Sequence, residues 1–142
     1  MQCMTIFPIA SGSSGNCYKI SDGKTSILIE AGIPIKKIKS GCDFNLSQIS
    51  ACLISHEHKD HSFAANNLMK AGIDVYMTEG TAIAAKAETY RLKLWKRGGI
   101  DDVKNPWYMS ESIGTFRIKP FMTHHDAAEP VGYFIISIHA PA

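Results

Sequence analysis

Directly after an apolar stretch, the run His56-Glu57-His58-Lys59-Asp60-His61 packs three imidazoles and two carboxylates together. Neither a solvated surface nor an apolar core calls for that density of metal-binding groups. The spacing His-x-His-x-Asp-His offers two neutral nitrogens on alternate residues, then a carboxylate and a third nitrogen. Such a set suits a borderline divalent ion such as zinc, or a pair of such ions. It is not the helical His-Glu-x-x-His of a zinc protease, because position 60 is Asp and the preceding residues read as strand. In a turn after that strand, His56 and His58 point at one ion while Asp60 and His61 curl toward a second. Divalent ions lower the pKa of bound water to about 7, and two of them stabilise both the attacking and the leaving oxygen of an ester. The chemistry implied is hydrolysis. A further nitrogen has to complete the first ion's shell, and Thr123-His124-His125-Asp126 offers two that spacing alone does not separate.

The elements that position these groups alternate. Thr5–Ala10 reads as a strand with Pro8 near its edge, followed by the tight loop Ser11–Asn16. Cys17–Ser21 and Thr25–Ala31 flank an Asp22-Gly23 turn and form a hairpin. Pro34 opens a short helix whose Ile35 and Ile38 face inward and which Gly41 ends. One helical turn over Leu46–Ile49 precedes Ala51–Ser55, an apolar strand buried on both faces, and the histidine run lies at its end. Phe63–Ala71 is expected to be helical, Asp74–Thr78 a strand, and Thr81 to about Leu94 a further helix. From Trp107 onward strands return, at Gly114–Met122 and Val131–Ile138. The alternation places the chain in the α/β class.

The 142 residues, 45% hydrophobic and 20% charged, fit one globular domain with a core large enough to need no disulfide staples. Cys3, Cys17, Cys42 and Cys52 contain no C-x-x-C pair and each lies in or beside an apolar segment, so buried reduced thiols and a cytoplasmic location are expected. The N-terminus has no charged leader and no run long enough to span a membrane. A net charge of +2 does not by itself announce a nucleic-acid partner.

Three separated motifs, Ser11-Gly-Ser-Ser-Gly-Asn16, the histidine run, and His125-Asp-Ala-Ala-Glu-Pro-Val-Gly-Tyr133, resemble the YycJ/WalJ-type branch of the metallo-β-lactamase fold and span residues 11 to 133. The resemblance implies an αββα sandwich with a two-metal site between its sheets and a nuclease acting on DNA phosphodiesters. It selects His125 over His124, so that His56, His58 and His125 hold one zinc, or manganese, with an open position. Asp60 then orients or deprotonates the water, and Asp60 and His61 face a second ion. Where the family usually has Asp in an Asp-Ala-Gly turn supporting the metal loop, this chain has Glu30-Ala31-Gly32. The family pattern also continues past Tyr133 with a bridging Asp and a last His. The resemblance therefore implies a single truncated domain over residues 1–142, with the C-terminal part of the second sheet missing and at most one ion bound. Val131–Ile138 would then expose an apolar edge, for which a homodimer is the expected remedy. A catalytically impaired fragment acting as a binding or assembly module is the alternative to a hydrolase.

Two weaker signals remain. The Ser11–Asn16 loop is either a plain turn or a phosphate cradle built from backbone N–H groups. Arg91, Lys93, Lys96 and Arg97 around Leu92, Leu94 and Trp95 are expected to complement the C-terminus of a helix, with a nucleic-acid track as the competing reading.

Overall fold

The computed structural model describes residues 4–98 and 108–138; Cys3 and Trp107 lie outside the described residues. Its first sheet takes six strands in sequential order: β1 (Thr5–Ala10), β2 (Cys17–Ser21), β3 (Ser26–Ile29), β4 (Ile49–Leu53), β5 (Val75–Met77) and β6 (Leu92–Leu94). The first three are antiparallel, and β3 through β6 are parallel. Helical crossovers make the parallel pairing possible. They are α1 (Ile35–Gly41), α2 (Lys59–Ser62), α3 (Ala65–Lys70) and α4 (Glu79–Ala84). A second, antiparallel sheet contains β7 (Glu111–Ile113), β8 (Phe116–Met122) and β9 (Val131–Ser137).

Strand periodicity explains how these layers stack. Side chains alternate across a strand, so β3 sends Leu28 to one side and Ile27 and Ile29 to the other. In β4, Cys52 parts from Ala51 and Leu53 in the same way. Leu28 and Cys52 join Ile38, Leu68, Met69, Val75 and Met77 in a core beneath the helices. Ile27, Ala51 and Leu53 meet Phe116, Ile118, Val131 and Trp95 in a second core between the sheets. Ala51–Leu53 thus lie in a strand covered on both faces, as the composition of the Ala51–Ser55 run predicts. Helix, sheet and sheet supply three layers of the sandwich among the described residues, and the outer face of the second sheet leaves Phe134 and Ile136 exposed.

The Asp22-Gly23 hairpin forms as expected, with Ser21 opposite Ser26 and Asp22 Oδ1 accepting the Lys24 and Thr25 N–H groups. Pro8 sits on the outermost strand, where a missing N–H costs least, beside a register shift between Pro8 and Ala10. Pro34 caps α1 from just outside it, and Ile38 is buried while Lys36, Lys37 and Lys39 are exposed.

Two expected helices are corrected. The helix expected over Phe63–Ala71 forms but begins only at Ala65, because the Ala64 N–H leaves the helical path to donate to Ala31 O. The helix expected to reach Leu94 stops at Ala84. Lys86 adopts a left-handed conformation (φ 53°), and the Lys86 and Ala87 N–H groups return to Ile83 O and Ala82 O, the bonding of a Schellman stop. Leu92–Leu94 then extends as β6 beside β5. The cations around it therefore do not cap a helix. Arg91 pairs with Asp74 and Arg97 with Glu129, while Trp95 is buried and donates to Tyr133 Oη at 3.0 Å. Cys17, Cys42 and Cys52 are buried free thiols. No helix among the described residues is long and apolar enough to cross a membrane.

Candidate metal centre

Parallel strands bring their carboxyl ends to one edge of the sheet, where open α/β sheets commonly seat ligands. β3 ends at Ile29, directly before Glu30, and β4 ends at Leu53, from which the chain continues through Ile54 and Ser55 to His56. The loop after β4 carries His56 and His58, and the single turn of α2 carries Asp60 and His61. His125 arrives from the opposite sheet, on the segment between β8 and β9. One ligand atom each from His56, His58 and His125 lie within 4.8 Å of one another. The His56 ring centroid is 4.7 Å from that of His58 and 4.4 Å from that of His125. His124 is not part of this group. The shallow cavity here, about 290 Å³, is lined by Ser55, His56, His61, Thr123, His124, His125 and Val131.

Proton accounting identifies which nitrogen of His56 keeps its lone pair free. Ser55 Oγ donates its one proton to Glu30 Oε2 at 2.6 Å, so toward His56 Nδ1, 2.7 Å away, it can only accept. Nδ1 therefore carries the ring proton, and the lone pair lies on Nε2. That Nε2 is buried and has no partner among the described residues. A buried lone pair without a donor is costly, and a cation held with His58 and His125 satisfies it. Burial, together with the neighbouring His61, holds the pKa of His56 down at about 4, which keeps the ring neutral at pH 7 and ready to ligate.

Glu30 organises the rest. Its backbone is left-handed (φ 69°), an uncommon state for a residue with a Cβ. From there Oε1 accepts the Ser55 N–H at 2.8 Å, and Oε2 takes the Ser55 hydroxyl together with Nδ1 of His61. The hydrogen bond that His61 donates to Glu30, acting against partial burial, raises the pKa of His61. With Nδ1 so engaged, His61 Nε2 faces Asp60 Oδ2 at 3.4 Å. The Glu-Ala-Gly turn thus performs the supporting role that the resemblance gives to an Asp.

The Ser11–Asn16 loop acts as a buttress. Asn16 donates its N–H and its side-chain amide to Asp60 O, at 2.9 and 3.2 Å. Gly32 packs so closely that an added Cβ would fall 1.7 Å from Asp60 O. On the far side, Glu129 of the His-Asp-Ala-Ala-Glu-Pro segment accepts from Gly80 N at 2.8 Å, Arg97 at 3.1 Å and Tyr108 Oη at 2.5 Å. The resemblance had placed Glu129 in a motif, but its anchoring role depends on Gly80, Arg97 and Tyr108, whose positions only the fold reveals.

Comparison with known proteins agrees with this geometry. Residues 10–138 match the metallo-beta-lactamase superfamily. The chain is 32% identical over 132 residues to the exodeoxyribonuclease WalJ of Streptococcus pneumoniae, covering 88% of this chain and 47% of that protein. It is 28% identical over 131 residues to the exodeoxyribonuclease YycJ of Bacillus anthracis, with the same coverage of 88% and 47%. The chain therefore spans about half the length of the curated relatives it matches. Among known structures, the metallo-beta-lactamase fold protein YhfI of Bacillus subtilis superposes with a TM-score of 0.68 at 17% identity, over 94% of this chain and 58% of that one. The short form of human tRNase Z gives 0.66 at 14% identity, over 94% and 65%. With the histidine run at the carboxyl end of β4 and a match extending over nearly all of its residues, this chain belongs to the metallo-beta-lactamase superfamily.

Proposed function

We propose that this chain carries the metal centre of a metal-dependent hydrolase that cleaves DNA phosphodiesters, with zinc as the ion and manganese as a competent substitute. The observation that carries the reading is the buried, unpartnered Nε2 of His56 beside donors from His58 and His125. A divalent ion held by these three supplies Lewis acidity and hydroxide at neutral pH. The chain's own residues do the remaining work. Asp60 orients the attacking water or takes its proton. Ser55 and Glu30 hold His56 in the ligating tautomer, and Glu30 holds His61 against Asp60. Toward a second ion the described residues offer Asp60 and His61, while Glu30, which clusters with His56 and His61, is taken up by Ser55 and His61, so one ion per chain is the reading. DNA enters as substrate through the likeness to the exodeoxyribonucleases WalJ and YycJ.

The test compares wild type with His58→Ala in a DNA cleavage assay with added Zn²⁺ or Mn²⁺. Cleavage that the substitution abolishes supports the reading; cleavage that survives it contradicts the reading. A metal-binding chain without cleavage in any condition would favour a binding module.

A homodimer through β9 completes the proposal. Among the described residues this strand is the last of the second sheet, and Phe134 and Ile136 on its outer face are 60% and 62% exposed, a combination that invites pairing with another copy. Light scattering that reports a monomer at high concentration would refute it.

A further inference from the structure

Two of the three proposed ligands share a loop, while the third arrives on a segment of the other sheet, so some contact must set the distance between them. Glu57 sits between His56 and His58, and its carboxylate reaches across 71 residues of sequence to accept the Ala128 N–H at 2.9 Å. Among the described residues this is the one side-chain hydrogen bond joining residues 56–61 to residues 123–130. Both ends are fixed. The Ser62 hydroxyl donates to Glu57 O at 2.8 Å, which holds the backbone from which the carboxylate extends. Beyond Ala128, Glu129 O accepts from Thr78 Oγ1 at 2.8 Å, and Val131 N donates to Ser55 O at 3.0 Å. The other oxygen of Glu57, Oε1, is buried with no partner among the described residues.

We propose that Glu57 is a positioning residue that fixes His125 relative to His56 and His58 and so tunes the affinity of the three-histidine site. The inference rests on the metal-centre reading for its consequence, but the clamp itself is a property of the metal-free chain. What matters is reach, since the Ala128 N–H needs an acceptor at the end of a side chain of this length. Gln retains that acceptor, whereas Asp keeps the charge but stops one methylene short.

The experiment measures zinc affinity by competition with a chromophoric chelator in wild type, Glu57→Gln, Glu57→Asp and Glu57→Ala. It also records thermal unfolding of the chelator-treated proteins. The expected result is affinity within about twofold of wild type for Gln and a loss of about 10–100-fold for Asp and Ala, the usual range for residues that orient ligands. The metal-free unfolding temperature of Asp should stay close to that of Gln. Undiminished affinity in Glu57→Asp overturns the proposal, as does a loss in Glu57→Gln equal to that in Ala, which would assign the effect to charge. If Glu57→Ala fails to fold, the Asp and Gln variants still decide. If wild type itself binds no zinc, the metal-centre reading fails, and hydrogen exchange at the Ala128 amide then judges the clamp. Protection in wild type that is lost in Glu57→Asp upholds it, and equal exchange overturns it.

Discussion

Ser55 Oγ lies 2.7 Å from Nδ1 of His56 and gives its only proton to Glu30, so one hydroxyl dictates which nitrogen of the buried imidazole is free to ligate. In nitrogen-15 spectra of histidine-labelled, metal-free protein, His56 should therefore show a protonated Nδ1 and a bare Nε2. Ser55→Ala removes the acceptor, populates the other tautomer and weakens metal binding by about 10–100-fold. A dominant Nε2–H tautomer in wild type would contradict this arrangement.

Gly32 is required by contact. An added Cβ would lie 1.7 Å from Asp60 O and 2.7 Å from His61 N, atoms of backbone that cannot swing aside. Gly32→Ala should cost about 3 kcal/mol of stability in denaturant titration and displace Asp60 and His61. A variant as stable as wild type would mean that the turn after β3 is looser than described.

Tyr133 ties the second sheet to the strand that leads into the site. Its hydroxyl donates to Ile54 O at 2.6 Å and accepts from Trp95 Nε1 at 3.0 Å. Tyr133→Phe leaves both groups unpaired in the interior and should cost about 1–3 kcal/mol by chemical denaturation. An unchanged midpoint and slope would show that water replaces the hydroxyl.

Acid should weaken the junction between the hairpins. Burial of Asp22 raises its pKa, but the Ser137 and Thr115 hydroxyls and the Thr25 and Lys24 N–H groups outweigh this and leave it well below the usual carboxylate range. A depressed folded-state pKa stabilises the protein fully above the unfolded value of about 3.9, and the benefit is lost as pH falls from there toward the folded value. Wild type should thus exceed Asp22→Asn by about 1–3 kcal/mol at pH 7, with the gap narrowing below about pH 4. A gap that does not change with pH would show that the Asp22 charge contributes nothing.

Much of this was legible in the residues. The histidine run announced its chemistry because three imidazoles within six positions have few other uses. The apolar run Ala51–Ser55 showed that both faces of the sheet are covered there, and Asp22-Gly23 marked the turn of the hairpin. What stayed hidden depends on backbone choices or on distance. Lys86 closes α4 through a left-handed conformation that its side chain does not advertise, so β6 reads as helix. Ala64 breaks a helical pattern for one long-range hydrogen bond to Ala31. Glu57 reads as a spacer between ligands until the fold brings Ala128 beside it.

The central claim is that His56, His58 and His125 form one site, and metal content tests it most directly. Elemental analysis of protein purified without chelator should give about one equivalent of divalent ion per chain, falling to near zero in His56→Ala and in His125→Ala alike. Full retention by His125→Ala would contradict it, and two tightly held equivalents in wild type would contradict the reading of one ion per chain.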